Sequence, residues 1–580
     1  MASGDLIPRI YGGFCGVDFR GDEIDPVRSP DSLNMWKDYK ETDVIRTRPK
    51  MKKYSSYTQK INGIFFYTVG ETEMMIVHRQ TYLYKVTRDA ETGEEVKQRL
   101  YPPEGKEGTE YNLRDARSNA FIYNGIWYFQ DGRHYLKYDG TTEYATPVVG
   151  YIPTTLIGGK PEGGGTTYED VNLLSDYRKN AFVGDDAHRA FYLNSKNIDT
   201  NYKPTVTVND VAVEVSSVDY AAGKVVLKEE APSPATEGQS NVIITFKKTI
   251  DKSKILNCRL LEMFDNRVFF SGNPDYPNMI WHCSLDDPTY FSDLDYYNEG
   301  LDTAKVKGMV AGNNALWVFK EPSQANTTVF YHTPTIDADY GKIYPNTHSS
   351  ISTGCVGKAI NFNDDIIFFS DRGMEGISGD ITSEQVIAHR SSLVDRKLTA
   401  ERDYKNMMLV EWEGYLVVII GKKVYLADSR AMFANGEHYE YEWFYWELPK
   451  TITCAKVHEG VLYLAAGEGD DAAIYTLDDM EGDVESYWVT PKDKFMHPHY
   501  LKTTNKRGCV AEAKGDISVY AKTEKTDFEL INTYENVTDY FVCRIKRKKF
   551  KDIQLKFHSN TRFSLETATL ECFIGGYLKR

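Results

Sequence analysis

Carboxylates are the residue type in this chain with the widest range of possible chemistry, and they are concentrated between Leu285 and Asp295. The segment Leu285-Asp286-Asp287-Pro288 is followed by Asp293 and Asp295. Oxygen ligands of this kind suit a cation, but the spacing differs from the DxDxDG…E pattern of an EF-hand loop. Aspartate also favours tight turns, and an Asp-Pro turn explains the segment without an ion. The sequence therefore predicts no metal site here.

Paired carboxylates elsewhere could serve general acid and base catalysis. Asp364-Asp365, Asp470-Asp471 and Asp478-Asp479 all fall where hairpin tips are expected. A glycosidase needs two carboxyl groups at a set separation, which the sequence alone does not fix. Because aspartate satisfies turn geometry, the pairs are interpreted as turn residues, with glycosidase carboxylates as the alternative.

The remaining reactive residue types form no recognisable catalytic or cofactor motif. The 12 histidines include no HxxxH or HExxH pair, and His497-Pro498-His499 is interpreted as a loop. The chain has no GxSxG, and glycine runs such as Gly163-Gly164-Gly165 lack the Lys-Ser/Thr of a phosphate loop. The sequence therefore predicts no catalytic residues, no cofactor and a protein that is not an enzyme.

One segment of the chain is strongly cationic, Arg544-Ile545-Lys546-Arg547-Lys548-Lys549-Phe550-Lys551. In an extended conformation, alternation would send Lys546, Lys548 and Phe550 to one face and the intervening cations to the other. Lysines on a strand edge discourage aggregation. The segment is interpreted as a solvated edge, with a patch for an acidic partner or for DNA as the alternative.

Composition narrows the class of protein. With 69 Lys and Arg against 84 Asp and Glu, the net charge of −15 argues against a surface dedicated to nucleic acid. No run approaches 18 apolar residues, so no membrane-spanning helix is predicted, and the opening MASGDLIPRIYGG predicts no secretion signal. The eight cysteines include no CxxC pair, which argues against zinc or redox chemistry and fits a reducing cytoplasm.

The elements that carry these residues repeat a simple pattern, a polar turn followed by four or five aromatic or β-branched residues. Strand centres fall near Phe269, Trp317, Ile367, Val417 and Leu462, at intervals of 45 to 50 residues. Two-residue turns precede them at Asp265-Asn266, Asn313-Asn314, Asn363-Asp364, Glu413-Gly414 and Glu459-Gly460. A repeat of this length with several short strands predicts a β-propeller.

Two earlier copies of the pattern raise the predicted number of blades to about seven. The predicted fold class is all-β, with five segments in chain order. They are an extended N-terminal arm (1–55), the first propeller blades (56–145), an inserted β-rich module (146–252), the remaining blades (253–487) and a C-terminal β-sandwich (488–580). The glycine-rich stretch 158–165 is interpreted as a flexible linker. The alternative is two unrelated all-β domains that both meander.

The N-terminal arm carries the predicted contact with other subunits. Breaks in regular structure lie within the arm at Asp25-Pro26 and Arg48-Pro49. Between these breaks, apolar residues could anchor the arm on a neighbouring subunit: Pro30, Leu33, Met35 and Trp36. The alternative is a loop-rich entry into the first domain.

Three segments resemble the packaged-DNA stabilisation proteins of tailed phages, which are related in architecture to the tail nozzle (tail tubular protein B-like) β-propellers. The opening GGFCGVDFRGDEIDPVRSPDSLNMW is similar to that family's N-terminus, and FDNRVFFSGNPDYPNMIWHCSLDDPTYF is similar to its central blade motif. The closing FKDIQLKFHSNT…LECFIGGYLK resembles its final sandwich. The three segments are structural strings and contain no catalytic signature.

The resemblance implies a structural virion protein, made in the host cytoplasm, that forms a hexameric ring in the phage tail below the portal and adaptor proteins. Its implied partners are copies of itself, portal and adaptor, tail fibre or spike proteins, and DNA that passes without sequence-specific binding. The ring would help to retain the packaged genome until DNA ejection, and an acidic surface suits such a conduit. One alternative is a receptor-binding, glycan-binding or glycan-cleaving propeller of a phage tail, which should bring aromatics and two acidic groups together. A cellular interaction scaffold is the other alternative.

Overall fold

The computed structural model of the chain describes residues 6–577 apart from 22–23, 40–43, 90–91, 107, 236–238, 324–326, 339–340, 350, 379–385, 437 and 547. Residues 1–5, which belong to the segment MASGDLIPRIYGG that predicts no secretion signal, lie outside this range. Described helices are short: two α-helices, Ser253–Leu256 and Asp395–Leu398, and two 3-10 turns, Tyr404–Asn406 and Gly469–Asp471. None of the helices in the described ranges is long and apolar enough to cross a membrane.

Seven four-stranded sheets of the propeller-blade type are found among the described residues. They are sheet 1 (Ile61–Val69, Thr72–Arg79, Tyr82–Arg88, Glu95–Tyr101), sheet 2 (Asn119–Tyr123, Ile126–Gln130, Tyr135–Tyr138, Thr146–Pro147), sheet 3 (Leu260–Phe264, Arg267–Ser271, Met279–His282, Tyr296–Asn298), sheet 4 (Val306–Gly312, Ala315–Lys320, Val329–His332, Asn346–His348), sheet 5 (Ala359–Phe362, Asp365–Phe369, Met374–Ser378, Val386–His389), sheet 6 (Met408–Trp412, Tyr415–Ile420, Lys423–Asn435, His438–Glu447) and sheet 7 (Ile452–His458, Val461–Ala466, Ala473–Asp479, Lys50–Ser56). The predicted all-β fold class of the propeller type is confirmed. The number of blades in a ring stays a prediction.

The predicted two-residue turns account for the local shape of these sheets. The strand register pairs Phe264 with Arg267 across Asp265-Asn266, whose backbone φ angles are 50° and 56°. Asn313-Asn314, Asn363-Asp364, Glu413-Gly414 and Glu459-Gly460 also have positive φ at both positions and join adjacent strands. Two positive φ angles define the type I′ turn, whose twist matches that of a hairpin, and Asn, Asp and Gly tolerate this conformation best. The turn chemistry therefore sets the register of each hairpin.

The chain divides into two compact units. Unit 1 contains Met1–Phe66, Val77–Gln80 and Ser349–Arg580, and unit 2 contains Tyr67–Ile76 and Thr81–His348. Sheets 2, 3 and 4 belong to unit 2, sheets 5, 6 and 7 belong to unit 1, and sheet 1 has residues in both. This division differs from the five predicted segments, because it divides the predicted blades at 253–487 near residue 349. The segment boundaries stay predictions.

Unit 2 contains two sheets within the predicted inserted module. One has six strands (Thr154–Gly159, Thr166–Thr167, Tyr177–Phe182, Thr205–Val208, Val211–Val213, Val242–Lys247) and the other has three (Ala190–Tyr192, Val215–Asp219, Lys224–Leu227). A two-stranded ribbon lies further on, at Thr335–Asp337 and Gly341–Ile343. The prediction of a flexible linker at 158–165 is wrong. Leu156 pairs with Thr167 and Ile157 with Thr166, so the glycines turn a hairpin inside the module.

Unit 1 contains one 11-stranded sheet, here called the C-terminal sheet. Its strands are Leu6–Gly12, Ser32–Leu33, Met35–Lys37, Ile45–Thr47, Ser486–Val489, Tyr500–Thr523, Thr526–Val537, Tyr540–Cys543, Lys548–Phe550, Ile553–Ser559 and Phe563–Tyr577. A short ribbon of Gly16–Val17 and Arg28–Ser29 accompanies it. Strands of the predicted arm thus belong to the same sheet as the chain's last strands. The C-terminal sandwich stays a prediction.

Two of the four residues predicted to contact another subunit lie in the core of unit 1. Trp36 packs against Trp412 with ring centroids 5.3 Å apart, and Trp446 Nε1 donates a hydrogen bond of 3.1 Å to the Met35 carbonyl. Met35 and Trp36 are therefore corrected to core residues, because burial within their own chain leaves no side-chain surface for a neighbour. Pro30 and Leu33 are half-buried, and an interface at these residues stays a prediction.

Gly16 provides a test of how tightly the N-terminal segment packs against sheet 6. A Cβ at Gly16, where φ is +141°, would lie 2.1 Å from the Trp443 carbonyl oxygen. We expect Gly16→Ala to lower the free energy of unfolding by about 3 kcal/mol, since a strained φ and a backbone clash add together. Gly13→Ala is the matched control, because φ is +60° and nothing lies within 4 Å of the added Cβ. Urea denaturation of both variants measures the difference, and equal losses would contradict the packing.

Candidate functional site

Three segments of unit 2 meet beside the last strand of sheet 3, and Asn172 holds them together. The buried Asn172 amide nitrogen donates hydrogen bonds to the carbonyls of Tyr151 (2.8 Å) and Thr289 (2.9 Å). Its amide oxygen accepts a hydrogen bond of 3.0 Å from the Phe291 backbone. An asparagine side chain can donate and accept together, so one residue fixes three backbones.

A cluster of three carboxylates forms where these segments run side by side. Asp293 Oδ1 accepts a hydrogen bond of 3.2 Å from the Val171 backbone nitrogen, and Ser292 Oγ donates one of 3.0 Å to Asp170 Oδ2. Asp295 precedes the strand Tyr296–Asn298 directly. We call Asp170, Asp293 and Asp295 the carboxylate cluster.

The surroundings of Asp295 favour its protonated form. Burial raises the pKa of Asp295 to about 6; the charges of Asp170 and Asp293 add to this effect, and Arg267 opposes it. The pKa of Asp293 is also raised, again chiefly by burial and with a contribution from Asp170. The Asp295 side chain is still 35% exposed, so it can exchange protons with solvent. A carboxyl that titrates near pH 6 is suited to acid catalysis.

Two tyrosines, Tyr151 and Tyr290, lie next to the segments that carry the cluster. The rings of Tyr151 and Tyr290 lie 5.3 Å apart, and Tyr151 is 40% exposed. Their hydroxyls donate to neighbouring oxygens, that of Tyr290 to the Asp170 carbonyl (2.9 Å) and that of Tyr151 to Glu169 Oε1 (2.9 Å). Aromatic rings held in this way offer flat apolar faces next to polar groups.

A buried polar network lies behind Asp295, between sheets 3 and 4. His282 Nδ1 is 4.0 Å from Asp295 Oδ2, and burial lowers the pKa of His282 to about 4. The His282 ring stacks on Tyr297 at 5.7 Å, and Tyr297 contacts His332 at 4.9 Å. His332 Nε2 lies 2.9 Å from Glu299 Oε1, with both side chains buried. Asp295 therefore faces a neutral imidazole on its inner side near pH 7.

Arg267 is the cation that opposes protonation of Asp295, and it is held in place from two sides. Arg267 Nη1 donates a hydrogen bond of 2.8 Å to the Cys283 carbonyl, and Nε donates one of 3.1 Å to the Tyr344 hydroxyl. Tyr344 in turn donates to Asp265 Oδ2 at 2.7 Å. Because these contacts fix the position of the guanidinium, the fold also sets how strongly Arg267 lowers the pKa of Asp295.

The acidic segment singled out from the sequence has two roles. The Asp287 carboxylate accepts a hydrogen bond of 2.8 Å from the Thr289 backbone, which confirms the Asp-Pro turn interpretation. Asp293 and Asp295, by contrast, enter the carboxylate cluster. Sequence reasoning missed Asp170, which bonds to a residue 122 positions away, and no local signal marks such a partner.

The carboxylate pairs also divide between turns and packing. Asp364 lies in a turn with φ of 63°, and Asp479 Oδ1 accepts a hydrogen bond of 2.8 Å from the Gly482 backbone, as the turn interpretation predicts. Asp471 pairs with Lys450 at the surface. The turn interpretation is wrong for Asp365, because its carboxylate is buried and pairs with Arg390 Nε at 2.7 Å.

One further group in unit 2 has the ligand types of a metal site. Glu162, Asp185 and His188 bring one ligand atom each within 4.8 Å of one another, and all three are exposed. His188 Nδ1 is 2.5 Å from Asp185 and Nε2 is 3.2 Å from Glu162. These contacts are those of a histidine between two carboxylates, and the predicted absence of a metal stays a prediction.

Comparisons with known proteins give matches only among solved structures. No protein-family model matches the sequence, and no curated protein matches it. The chain is similar to a streptogramin B lyase (8% identity, 74% of this chain and 96% of that chain, TM-score 0.32) and to the polysaccharide lyase Uly1 (11%, 72% and 88%, TM-score 0.30). It is also similar to an exo-β-1,3-galactanase from Phanerochaete chrysosporium (10%, 90% and 99%, TM-score 0.22). Likeness at this level assigns no activity to the chain.

The prediction that the chain is not an enzyme is corrected by these comparisons. The solved structures just described are named as two lyases and a galactanase, so enzymes are among the proteins to which this chain is similar. The sequence-based prediction rested on the absence of short catalytic motifs. Carboxylate sites assembled from distant segments leave no such motif. What this chain does must be argued from its own side chains.

Proposed function

We propose that the chain binds glycans at the carboxylate cluster and cleaves a glycosidic bond there. The observation that supports this is Asp295, a partly exposed carboxyl with a pKa of about 6 whose neighbours include two further carboxylates, in a part of unit 2 that also carries the exposed Tyr151. Glycoside hydrolysis needs one protonated and one ionised carboxyl group. Enzymes usually separate the pKa values of two such carboxyl groups by giving each a different environment.

In this proposal Asp295 is the general acid. Its proton passes to the glycosidic oxygen as the bond between that oxygen and the anomeric carbon breaks. Asp170 receives a proton from the attacking water, whose oxygen forms the new bond to the anomeric carbon. The Ser292 hydroxyl donates a hydrogen bond of 3.0 Å to Asp170 Oδ2 and so orients that carboxylate.

The tyrosines would position the sugar. Tyr151 and Tyr290 present neighbouring rings, and Tyr168, 64% exposed, lies in the adjacent segment. Sugar rings have apolar C–H faces that pack on aromatic rings, while their hydroxyls bond to polar groups nearby. The proposed substrate is therefore an oligosaccharide or polysaccharide that packs against Tyr151, Tyr168 and Tyr290.

Glycan binding tests the proposal directly. We expect the wild-type chain to bind at least one member of a panel of neutral and acidic oligosaccharides, and Tyr151→Ala to weaken that binding about tenfold, the effect of one lost aromatic contact. Isothermal titration calorimetry measures both affinities. Tyr192→Ala is the matched control, since Tyr192 is an exposed tyrosine in the inserted module. Absence of binding across the panel at millimolar sugar, or equal loss in the control, would contradict the proposal.

We propose a phage tail as the place where this site acts, in a ring of copies of this chain that lies below the portal and adaptor proteins, contacts fibre or spike proteins and lets DNA pass through. The support is the resemblance of the opening, central and closing segments to tailed-phage packaged-DNA stabilisation proteins. Cryo-electron microscopy of particles that carry this chain tests the location. We expect density in a six-fold tail ring, and density on no particle would contradict this part of the proposal.

A further inference from the structure

The C-terminal sheet carries a cationic groove that the proposed function does not use. The groove has a volume of about 950 Å³ and is lined by residues 503–507, Val542 and residues 544–546. Four exposed cations border it: Lys506, Arg507, Arg544 and Lys546. Val542 and Ile545 supply apolar lining between them.

A bulge in one strand creates the first side of the groove. Thr504 pairs with Cys572 and Cys509 pairs with Leu570, so four residues on one strand face a single residue on its partner. The extra residues project from the sheet and carry Lys506 and Arg507. A bulge of this kind redirects side chains without ending the strand.

The second side is a segment that passes close over Gly508. A Cβ at Gly508, where φ is +73°, would lie 2.3 Å from the Cys543 carbonyl oxygen and 2.4 Å from the Ile545 nitrogen. Ile545 is buried, and the Thr504 hydroxyl donates to its carbonyl. Because Ile545 is anchored, its neighbours Arg544 and Lys546 are both directed to solvent.

The four cations have no carboxylate partner within the part of the chain that the structure describes. None of them forms an ion pair there, although the chain as a whole has a net charge of −15. The nearby Glu571 carboxylate instead accepts a hydrogen bond of 2.6 Å from Asn505 Nδ2. Arg547 of the predicted basic run lies outside the described residues. Uncompensated cations held around one groove are suited to a polyanion.

Exposed apolar residues continue the groove along the strand Tyr540–Cys543. Side chains alternate, so Phe541 and Cys543 are buried whereas Tyr540 (61%) and Val542 (39%) are exposed on the groove side. A single nucleic-acid strand presents phosphates to cations and unstacked bases to apolar and aromatic surfaces. A duplex keeps its bases stacked inside, so the base faces are not available to such surfaces.

We propose that this groove binds single-stranded nucleic acid, with phosphates on the four cations and bases on Val542 and Tyr540. The inference goes beyond the proposed glycan site. The glycan site belongs to unit 2, whereas the groove residues belong to unit 1. If the inference holds, it limits what can be inferred from the net charge. A net charge of −15 describes the sum over the chain, while binding depends on where the cations lie.

Fluorescence anisotropy with the full-length chain and a labelled 20-nucleotide oligothymidine tests the proposal. With four phosphate contacts, we expect the affinity to fall about 50-fold when salt rises from 50 to 200 mM. The charge reversal Arg544→Glu with Lys546→Glu should weaken binding at least tenfold. Arg402→Glu with Lys405→Glu, which reverses one exposed Arg and one exposed Lys elsewhere in unit 1, should leave it unchanged.

Three outcomes would overturn the proposal. These are no binding by the wild-type chain at low salt, equal loss in the two charge-reversal variants, and binding to a duplex of the same length that is as tight as to the single strand. A sulfated polysaccharide or anionic vesicles that compete as well as the oligonucleotide would likewise replace nucleic acid by a general anion. Tyr540→Ala separates these cases, since it should weaken single-strand binding and leave heparin binding unchanged. Circular dichroism confirms that each variant is folded.

Discussion

Replacing Asp295 by asparagine is expected to reduce glycan cleavage at least about 100-fold, the usual contribution of a positioned general acid. Asparagine has nearly the same shape but cannot deliver a proton to the leaving oxygen. Glycan binding should change little, because the tyrosines are untouched. Initial rates of oligosaccharide hydrolysis at pH 5, set beside calorimetric affinities, separate the two effects.

The pH dependence of Asp295 follows from its raised pKa. Burial and the neighbouring carboxylates raise that pKa from an ordinary value of 3.8 to about 6 in the folded chain. The folded state thus holds the proton more tightly, so the stability linked to this group is complete below pH 4 and lost as pH rises through 6. Cleavage should fall over the same upper range, because the acid becomes ionised. In Asp295→Asn, the contribution of this group to the pH dependence of stability should disappear.

Asp275→Asn is the control for both measurements. Asp275 is an exposed aspartate of unit 2 in the turn before Met279–His282, so the substitution removes a carboxylate of the same type outside the carboxylate cluster. We expect wild-type rates and pH dependence. An Asp295→Asn chain that cleaves as fast as this control would exclude Asp295 as the acid.

Asp365→Ala is expected to lower the free energy of unfolding by about 3–5 kcal/mol, because it leaves a buried guanidinium without its partner. Arg390 Nε and Nη2 donate to the Asp365 carboxylate at 2.7 and 3.3 Å, and the Tyr441 hydroxyl donates to it at 2.9 Å. Both charged side chains are buried. Urea denaturation followed by tryptophan fluorescence measures the loss.

Asp371→Ala gives the matched comparison for Asp365. Asp371 is exposed in the turn of the same sheet, and surface substitutions of this kind usually change stability by no more than about 0.5 kcal/mol. The double variant Asp365→Leu with Arg390→Met should lose less than Asp365→Ala, since it leaves no unpaired charge. If Asp365→Ala were as stable as Asp371→Ala, the prediction would be contradicted, and water would have to solvate the Arg390 guanidinium in place of the Asp365 carboxylate.

Local features of the fold could be predicted from the sequence because their causes are local. The residue types in each two-residue turn, such as Asn313 and Asn314, favour the positive φ angles that the turn requires. The aromatic runs that follow the turns favour strands. Non-local pairing left no such signal. Nothing near Leu6 indicates that it pairs with Phe573, and nothing near Trp36 indicates Trp412 as its partner.

The candidate site shows the same limit. Asp293 and Asp295 could be selected as unusual, but Asp170, which also raises the pKa of Asp295, is brought by the fold from another segment. The pKa of Asp295 rises because of burial, and burial is a property of the packed sheets. Arg544 and Lys546 were found as a basic run, whereas Lys506 and Arg507 join them only through a bulge in a distant strand.

The pairing of Leu6–Gly12 with the strand Phe563–Tyr577 has a consequence for synthesis of the protein. The strand Leu6–Gly12 is synthesised long before its partners, such as Thr567 and Phe573, and must wait for them. At about 5–20 residues per second, that wait is roughly 30 s to 2 min, during which the edge strands lack their partners. A chain that stops before residue 563 cannot complete the sheet, so premature termination yields a product that fails to finish folding. Synthesis of the strand Phe563–Tyr577 therefore determines when the sheet that contains Leu6–Gly12 can be completed.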